Sequence, residues 1–387
     1  MLLELHGWIP DLVAAHLEEL EFLWPQWAEA RCSPDYLVPE LGRLEERIEA
    51  NLDALVLAGD EAETLIEEAL GAPSAALVRS AAMVMLHSDP ASREVLLGRL
   101  GEATPAAALA LAEALGAVEP ASAVERATEV AIDAQAPAAV LASAWTLALW
   151  GRPIPGPERV RLYLTEPEPA LRAAAWRLAG ELLARGELAP VARSEFEAAL
   201  ADEETADAAW WAAAWSRQPW LLSYASAQAA VDVRALSWLA RLGGAAERAR
   251  VIAALDVDAL GPGRFMAAAR LGHVDVADAL LRLAADAAPE RAVPAAYAFW
   301  RITDVRKILD ASVQLVGPDG DPDLAETAHL PDLPALRQAW TQLRPSFAAG
   351  PRWARAVEVD RVEPAQWAAL DCEACDDRVV REVYRGV

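Results

Sequence analysis

A tryptophan within an alanine- and leucine-rich stretch recurs through the middle of this 387-residue chain. It stands at Trp145, Trp176, Trp210, Trp238 and Trp300, and the residue before it is usually small. Successive intervals are 31, 34, 28 and 62 residues, the last being two periods. A fixed period of this order is the signature of stacked helical repeats, so the sequence predicts a solenoid.

The stretch from Ala170 to Ala184 shows what one repeat helix looks like. Its apolar residues recur at helical spacing and form one stripe, made by Leu171, Ala174, Ala175, Leu178 and Leu182. Pro169 precedes the stretch and Gly186 follows it, and these residues favour the beginning and the end of a helix. Alanine is the best helix former, and its small side chain lets a second helix approach closely.

From residue 62 onward the same pattern predicts helices in consecutive pairs, joined by short polar or proline-containing turns. Clear examples are Glu63–Leu70, Pro137–Leu149, Val233–Leu242 and Gly263–Leu271. We predict an acidic N-terminal helical cap over residues 1–61, in which Pro25 stops or kinks the first helix. The repeat array spans residues 62–305. Residues 306–387 form an irregular C-terminal cap that ends in a last degenerate helix pair.

The second helices of these pairs resemble those of HEAT repeats. The segments Asp232–Gly243, Glu168–Ala175 and Ala76–Ala82 each place Val or Leu, then Arg, then a small residue at the start of an Ala/Leu helix. The predicted fold is therefore all-α: a single right-handed α-solenoid of about nine HEAT-like helix pairs with terminal caps.

Composition agrees with a globular chain, since 55% of the residues are hydrophobic and 24% are charged. No apolar run approaches the roughly 20 residues that cross a bilayer, and the first residues carry no basic segment of the kind that opens a signal peptide. Three cysteines, Cys32, Cys372 and Cys375, cannot build a disulfide scaffold. We expect a cytoplasmic protein.

The formal net charge is −25 and the isoelectric point is about 4.6. Such a surface repels phosphate backbones and anionic lipids, so we expect no nucleic acid and no membrane among the partners. It favours fast capture of a basic protein. The same charge is also explained by solubility alone, because net charge bears on solubility and association kinetics rather than on a particular function.

The N-terminal region carries a second resemblance. The segments His16–Leu20, Leu41–Ala50 and Leu52–Leu55, with the link Gly151–Ile154, are similar to a bacterial HEAT-repeat family of unassigned function. Members of that family are often encoded beside type VI secretion genes. The resemblance implies a protein-binding role, and it carries over no catalytic residue because the matching motifs look structural.

Motifs for chemistry are weak. Cys372 and Cys375 have metal-ligand spacing without the other two ligands of a structural zinc site, so they form either a buried pair or a metal or redox site. Asp319, Asp321 and Asp323 mimic the start of a calcium loop, but the loop lacks its later glycine and glutamate. We expect no cofactor and no metal.

The histidines give no zinc-protease spacing. His16 is followed by Glu18 and Glu19 rather than by the H-E-x-x-H pattern. His87 and His273 are each predicted to close a repeat helix as capping or packing residues.

The densest aromatic cluster is Trp210-Trp211-Ala212-Ala213-Ala214-Trp215, followed by Trp220. Trp211 and Trp215 share a helix face, while Trp210 points elsewhere. One interpretation packs all of these rings between repeats, because stacked repeats bury a continuous core. The other makes Trp211, Trp215 and Trp220 a partner-binding surface, because tryptophan is enriched at interface hot spots.

Two functional hypotheses follow. The first is a non-catalytic protein-binding scaffold, an immunity protein or adaptor for a type VI-type secreted antibacterial toxin, whose partner is a basic toxin domain or a secretion component. The second is an enzyme with an unrecognised site, such as a HEAT-type protein that processes a DNA base. The negative charge argues against the DNA version.

Overall fold

A computed structural model of the chain describes residues 9–88, 90–102, 104–117, 123–315, 326–362 and 364–385. These residues form 20 α-helices and two small antiparallel hairpins, which confirms the predicted all-α class. None of the described helices is both long enough and apolar enough to traverse a bilayer. By packing, the chain forms two compact units. One comprises residues up to Glu29 with Gly42–Ser216, and the other comprises Ala30–Leu41 with the residues from Arg217 onward.

The first unit contains the first twelve helices. They are α1 Ile9–Ala30, α2 Val38–Ala58, α3 Glu63–Leu70, α4 Ala75–His87, α5 Pro90–Arg99, α6 Pro105–Ala117, α7 Ala123–Asp133, α8 Pro137–Leu149, α9 Glu158–Leu162, α10 Pro169–Arg185, α11 Arg193–Ala201 and α12 Ala206–Trp215. The facing ends of α1 and α2 belong to the second unit.

Alternate helices of the first unit stack on one another. Helix α4 packs on α6, α6 on α8, α8 on α10, and α10 on α12, while α3, α7 and α11 pack on α4, α8 and α12 respectively. Each pair therefore contacts its neighbours in the chain, as stacked helical repeats require. The right-handed curvature stays a prediction. So does the division into an N-terminal cap, a repeat array and a C-terminal cap.

Small residues set the distance between these helices. An added Cβ at Gly180 in α10 would lie 2.6 Å from the Cα of Ala212 in α12, so the two backbones touch. One turn earlier on α10, the ring of Trp176 is 2% exposed and lies 4.8 Å, centroid to centroid, from Phe196 of α11. Glycine and alanine thus permit the close contact between α10 and α12, whereas tryptophan fills the space between α10 and α11.

The second unit contains eight helices and four strands. They are α13 Leu221–Gln228, α14 Val233–Leu242, α15 Arg248–Ala254, α16 Gly263–Leu271, α17 Val274–Leu283, α18 Pro289–Thr303, β1 Ile308–Leu315, β2 Glu326–Pro331, α19 Leu333–Leu343, β3 Trp353–Ala354, β4 Val357–Glu358 and α20 Cys372–Arg385. Helices α14, α16 and α18 form a row, with α13, α15 and α17 packed against them.

The β3–β4 hairpin covers the carboxyl ends of this row. Its two-residue turn, Arg355-Ala356, has positive φ at both positions, as tight hairpin turns require. The turn donates its backbone N–H groups to Arg301 O and Ile302 O at 2.7 and 3.0 Å. These two carbonyls lie in the last turn of α18, where they have no partner within the helix.

Helices α14 and α16 are capped by the same segment. The N–H of Trp353 donates to Gly272 O at 2.8 Å, and the buried Arg352 guanidinium donates to Ala240 O at 2.7 Å. Gly272 has φ +63°, and a Cβ there would lie 2.5 Å from Trp353 O, so both the turn and the contact require glycine. The C-terminal segment therefore donates hydrogen bonds to carbonyl groups at the carboxyl ends of three helices, α14, α16 and α18.

The helices Glu63–Leu70, Pro137–Leu149, Val233–Leu242 and Gly263–Leu271 have the predicted bounds. Of the two effects predicted for Pro25, the stop is wrong, because α1 runs through it to Ala30, and the kink stays a prediction. Downstream packing holds the helix together: Trp24 and Trp27 lie edge to face at 5.7 Å, and the Arg79 guanidinium lies over both rings.

The C-terminal region differs most from expectation. The hairpin β1–β2 was not predicted, because the residues of β1 are mostly exposed and carry no alternating apolar signal. Of the two segments predicted as a last degenerate helix pair, Pro364–Ala369 is a 3₁₀ helix and the second lies within the α-helix Cys372–Arg385. Helix α20 packs on α14 and thus lies along the row. His273 does not close a helix, because it is the N-cap of α17.

We expect Trp176→Ala to lower the free energy of unfolding by about 3–5 kcal/mol, because it removes a buried ring and leaves a cavity against Phe196. Urea denaturation followed by circular dichroism measures this change. Arg177→Ala, at the exposed next position of the same helix, is the matched control and should change little. Equal stability of the Trp176→Ala variant and the wild type would contradict the packing.

We expect Gly180→Ala to destabilise the first unit by about 1 kcal/mol or more, because the added methyl group overlaps the backbone of α12. Gly42→Ala is the matched control, since nothing lies within 4 Å of its Cβ in α2. That variant should gain about 0.5–1 kcal/mol from helix propensity. Thermal melts of both variants test the close approach, and a stabilised Gly180→Ala protein would refute it.

Candidate functional site

Trp211 and Trp215 form a stacked pair on one face of α12. Their ring centroids lie 4.8 Å apart with an interplanar angle of 14°. Both rings are half-buried, whereas the ring of Trp210 is 1% exposed and belongs to the core. The helical spacing of four residues places the two rings together, and the pair leaves a flat aromatic surface accessible.

A carboxylate fixes the edge of this pair. The indole N–H of Trp215 donates to Glu181 Oε2 at 2.5 Å, from the neighbouring helix α10. The other oxygen of Glu181 accepts from Arg185 Nε at 2.9 Å, and Arg185 also donates to Ala148 O at 2.7 Å. A chain of contacts from α8 through α10 thus holds this ring of α12 in place, so the surface is preorganised rather than adaptable.

Trp220, the third predicted contact residue, belongs to the second unit. It lies just before α13, where its indole N–H donates to Gln218 Oε1 at 3.2 Å and its ring meets Tyr224 edge on at 6.0 Å. The ring is half-buried. Of the three residues of the predicted surface, Trp211 and Trp215 lie together. Trp220 instead forms an aromatic pair with Tyr224.

A buried ionic cluster, which the sequence analysis missed, joins α20 to the helix row. Arg241, Arg270 and Arg301 come from α14, α16 and α18, and Glu373 and Asp377 come from α20. Asp377 forms ion pairs with Arg241, whose Nε lies 2.7 Å from Oδ1, and with Arg270, whose Nε lies 3.5 Å from Oδ2. Glu373 pairs with Arg270 and Arg301. We call these five residues the ionic cluster.

The protonation of the cluster follows from burial and charge together. Burial by itself would raise the pKa of Asp377, but the Arg270, Arg241 and Arg301 cations outweigh it and lower the pKa. At Glu373 burial prevails, and the pKa is raised despite its arginine partners. The cluster is closely filled and internally paired, so it attaches α20 and offers no open position for a substrate.

The arginines of the cluster carry a sequence signal. They are spaced by 29 and 31 residues, which is the period of the repeat tryptophans. Three acidic residues at helical spacing, Glu373, Asp376 and Asp377, stand in the C-terminal segment. A search for periodic charges rather than periodic rings would have found both sets, although not their contact.

The cysteines are free thiols. Cys372 begins α20 and is buried, and its N–H donates to Tyr36 O at 2.9 Å. Burial, reinforced by the Asp371 carboxylate, raises the pKa of Cys375 to about 12. That thiol stays protonated at neutral pH, which makes it a poor nucleophile and metal ligand.

The remaining candidates have structural contacts. His16 Nδ1 lies 2.7 Å from Asn51 Oδ1, and His87 is exposed at the end of α4. Burial, reinforced by the Arg248 cation, lowers the pKa of His273, whose Nδ1 accepts from Asp275 N at 3.2 Å. Among the described residues no group of three His, Cys, Asp or Glu side chains is placed to hold a metal ion. The aspartates of the calcium-like loop at 319–323 lie outside those residues.

Comparisons with protein-family models, with curated proteins and with solved structures found no match to this chain. The resemblance to HEAT-repeat proteins thus rests on the sequence segments quoted above. The first unit presents the aromatic pair Trp211 and Trp215 as a candidate site, whereas the ionic cluster of the second unit is internally paired.

We expect Asp377→Asn to destabilise the second unit by about 3–5 kcal/mol, because it leaves buried guanidinium groups without their shared carboxylate. Asp376→Asn is the matched control: it removes a neighbouring charge that also pairs with Arg241 but whose side chain is 42% exposed. Its effect should be about 1 kcal/mol or less. Urea denaturation compares the two, and equal losses would show that burial does not set the strength of the cluster.

The advantage of the wild type over Asp377→Asn should depend on pH in one direction. The pKa of Asp377 is lowered by folding, so its contribution is complete above the unfolded pKa of about 4 and is lost as the pH falls through the folded value. Stability curves of the two proteins should be well separated at pH 6 and converge below pH 4. A constant difference over that range would contradict the assignment.

Proposed function

We propose that this protein is a non-catalytic scaffold that binds a basic partner protein through Trp211 and Trp215. The observation that carries the proposal is the stacked, half-buried ring pair, whose Trp215 is held by Glu181 of the neighbouring stacked helix. Rigid aromatic rings at a surface supply a large contact area at low entropic cost, which is why they dominate interface hot spots.

The charge of the chain supports a basic partner. A net charge of −25 raises the rate at which cationic proteins meet this surface. Glu181 is already paired with Arg185, so the attraction comes from the net charge of the chain, and a lysine or arginine of the partner would contact the ring faces. Aromatic contact and charge thus favour the same class of ligand.

Within this proposal the partner is a secreted antibacterial toxin of the type VI kind. The support is the N-terminal resemblance described in the sequence, together with the acidic surface. An immunity protein would cover the cationic cleft of a nuclease toxin by charge complementarity. An adaptor would instead hold the toxin for loading and leave its active site open.

The alternative is an enzyme with an unrecognised site, such as a HEAT-type DNA-base-processing protein. No observation on the described residues favours it, and the net charge opposes DNA binding. Incubation of the purified protein with DNA that carries alkylated bases, followed by assays for base release and strand cleavage, tests this alternative directly.

Co-expression in a bacterial host tests the leading proposal. The toxin to use is a basic effector domain encoded beside the gene of this protein, produced from an inducible promoter. Growth restored by this protein indicates immunity. A stable complex without restored growth indicates an adaptor. Neither complex formation nor growth rescue with any neighbouring basic effector would overturn the proposal.

We predict that raising the salt concentration from 20 to about 150 mM slows association with the toxin several-fold, because the screening length shrinks to about 8 Å. Charges at the rim of an interface mainly set the association rate, so the dissociation rate should change less. Surface plasmon resonance separates the two rates. An association rate that is independent of salt would remove the electrostatic part of the proposal.

We predict that Trp215→Ala speeds dissociation, with a loss of about 2 kcal/mol or more in binding free energy if the ring is a hot spot. Trp215→Phe keeps a stacked ring without the Glu181 hydrogen bond and should retain most of the affinity. Circular dichroism checks that both variants fold. Trp220→Ala serves as the test of the third predicted residue, and unchanged dissociation of a folded Trp215→Ala protein would place the interface elsewhere.

A further inference from the structure

A cavity of about 210 Å³ lies in the second unit between α18 and the base of the β1–β2 hairpin. Tyr297 and Trp300 of α18 form one wall, with ring centroids 5.1 Å apart. Ile308 of β1, Ala328 of β2 and Leu336 of α19 line the other walls. The interior is therefore largely apolar and partly aromatic, as small-molecule sites usually are.

Two consecutive cations, Arg306 and Lys307, stand at the same cavity. Both are exposed, and the Arg306 guanidinium lies 5.2 Å from the centre of the Trp300 ring. Among the residues that the structure describes, neither cation has a carboxylate within salt-bridge distance. Arginines in the ionic cluster are paired, so this unneutralised pair stands out in a chain of net charge −25.

None of the carboxylates nearest in sequence, Asp304, Asp310 and Asp332, forms an ion pair with Arg306 or Lys307. Asp304 lies 3.8 Å from the Arg355 guanidinium, and Asp332 Oδ1 accepts from Ala335 N at the start of α19. Asp310 is exposed on β1 without an ion pair to either cation. The imidazole of His329 on β2 also lines the cavity. The local charge at the cavity is thus positive although the chain is acidic.

We propose that this cavity binds a small organic anion, with a flat apolar body against Tyr297 and Trp300 and a carboxylate group beside Arg306 and Lys307. Aromatic walls favour a planar body, because rings stack or meet edge to face. The volume is below the range of about 300–1,000 Å³ usual for drug-sized ligands, so one or two fused rings match it. This site is separate from the Trp211–Trp215 surface and does not depend on the proposed function.

The charge requirement distinguishes this ligand from simpler ones. An inorganic anion would gain from Arg306 and Lys307 but nothing from the apolar walls. A neutral aromatic molecule would gain from the walls alone, and would leave the two cations without a partner. A ligand with both parts uses every group at the cavity, so it should bind more tightly than either fragment.

Calorimetric titration of the purified protein with 2-naphthoate tests the proposal. We expect one naphthoate per chain, with 2-naphthamide, its neutral isostere, at least tenfold weaker and acetate without measurable binding. Equal affinity for naphthoate and naphthamide would refute the role of the cations. No binding of naphthoate at millimolar concentration would refute the site.

Lys307 allows the site to be located without a structure of the complex, because it is the only lysine in the sequence. Acetylation by a succinimidyl ester, read by peptide mapping, reports on this one side chain. Saturating naphthoate should slow acetylation of Lys307 several-fold, and naphthamide should not. Tight naphthoate binding with no protection of Lys307 would place the ligand elsewhere and overturn the proposal.

Variants provide the third arm of the experiment. Lys307→Met and Arg306→Met should each weaken naphthoate binding about tenfold, and Lys307→Arg should keep it. Arg43→Met is the matched control, since it removes one exposed cation from α2 and changes the net charge equally. Tyr297→Leu probes the aromatic wall. If Arg43→Met weakens binding as much as Lys307→Met, the attraction is non-specific and the proposal fails.

Discussion

The approach of alternate helices through alanine and glycine is the constraint on which the first unit depends. Where Gly180 meets Ala212 the backbones of α10 and α12 touch, so no larger side chain fits at that position. Bulky rings are excluded from that contact, and Trp176, one turn earlier on α10, packs against Phe196 of α11 instead. Trp211 and Trp215 occupy a face of α12 that neither contact uses. The exposure of the aromatic pair is therefore a consequence of how its neighbours pack.

Charge has the corresponding role in the second unit. Helix α20 is attached by two carboxylates, Asp377 and Glu373, each of which meets two arginines of the row, and both carboxylates are buried. A shift of α20 by one turn, about 5.4 Å, would separate these pairs and leave buried charges unpartnered. Removing one partner of a buried pair costs about 3–5 kcal/mol. The ionic cluster thus fixes the register of the C-terminal helix, whereas apolar packing alone would tolerate sliding.

Local patterns in the sequence predicted the local structure. Apolar spacing, prolines and glycines placed helices such as Pro137–Leu149 and Gly263–Leu271, because these signals act over one or two turns. Contacts between distant residues were beyond their reach: Arg241 and Asp376 are 135 positions apart. For the aromatic cluster, the spacing of Trp211 and Trp215 predicted a shared face. Whether that face is covered depends on α10, which the spacing of α12 does not reveal.

The acidity of the chain and the cationic cavity are compatible, because they act over different distances. Electrostatic interactions are screened beyond about 8 Å at physiological salt. A protein partner spans many such lengths and responds to the net charge, whereas a small anion responds to the groups beside it. The arginines of the ionic cluster are paired with carboxylates of α20, whereas Arg306 and Lys307 stand beside their own cavity with no such partner among the described residues. The proposed basic partner and the proposed organic anion therefore make compatible demands on one chain.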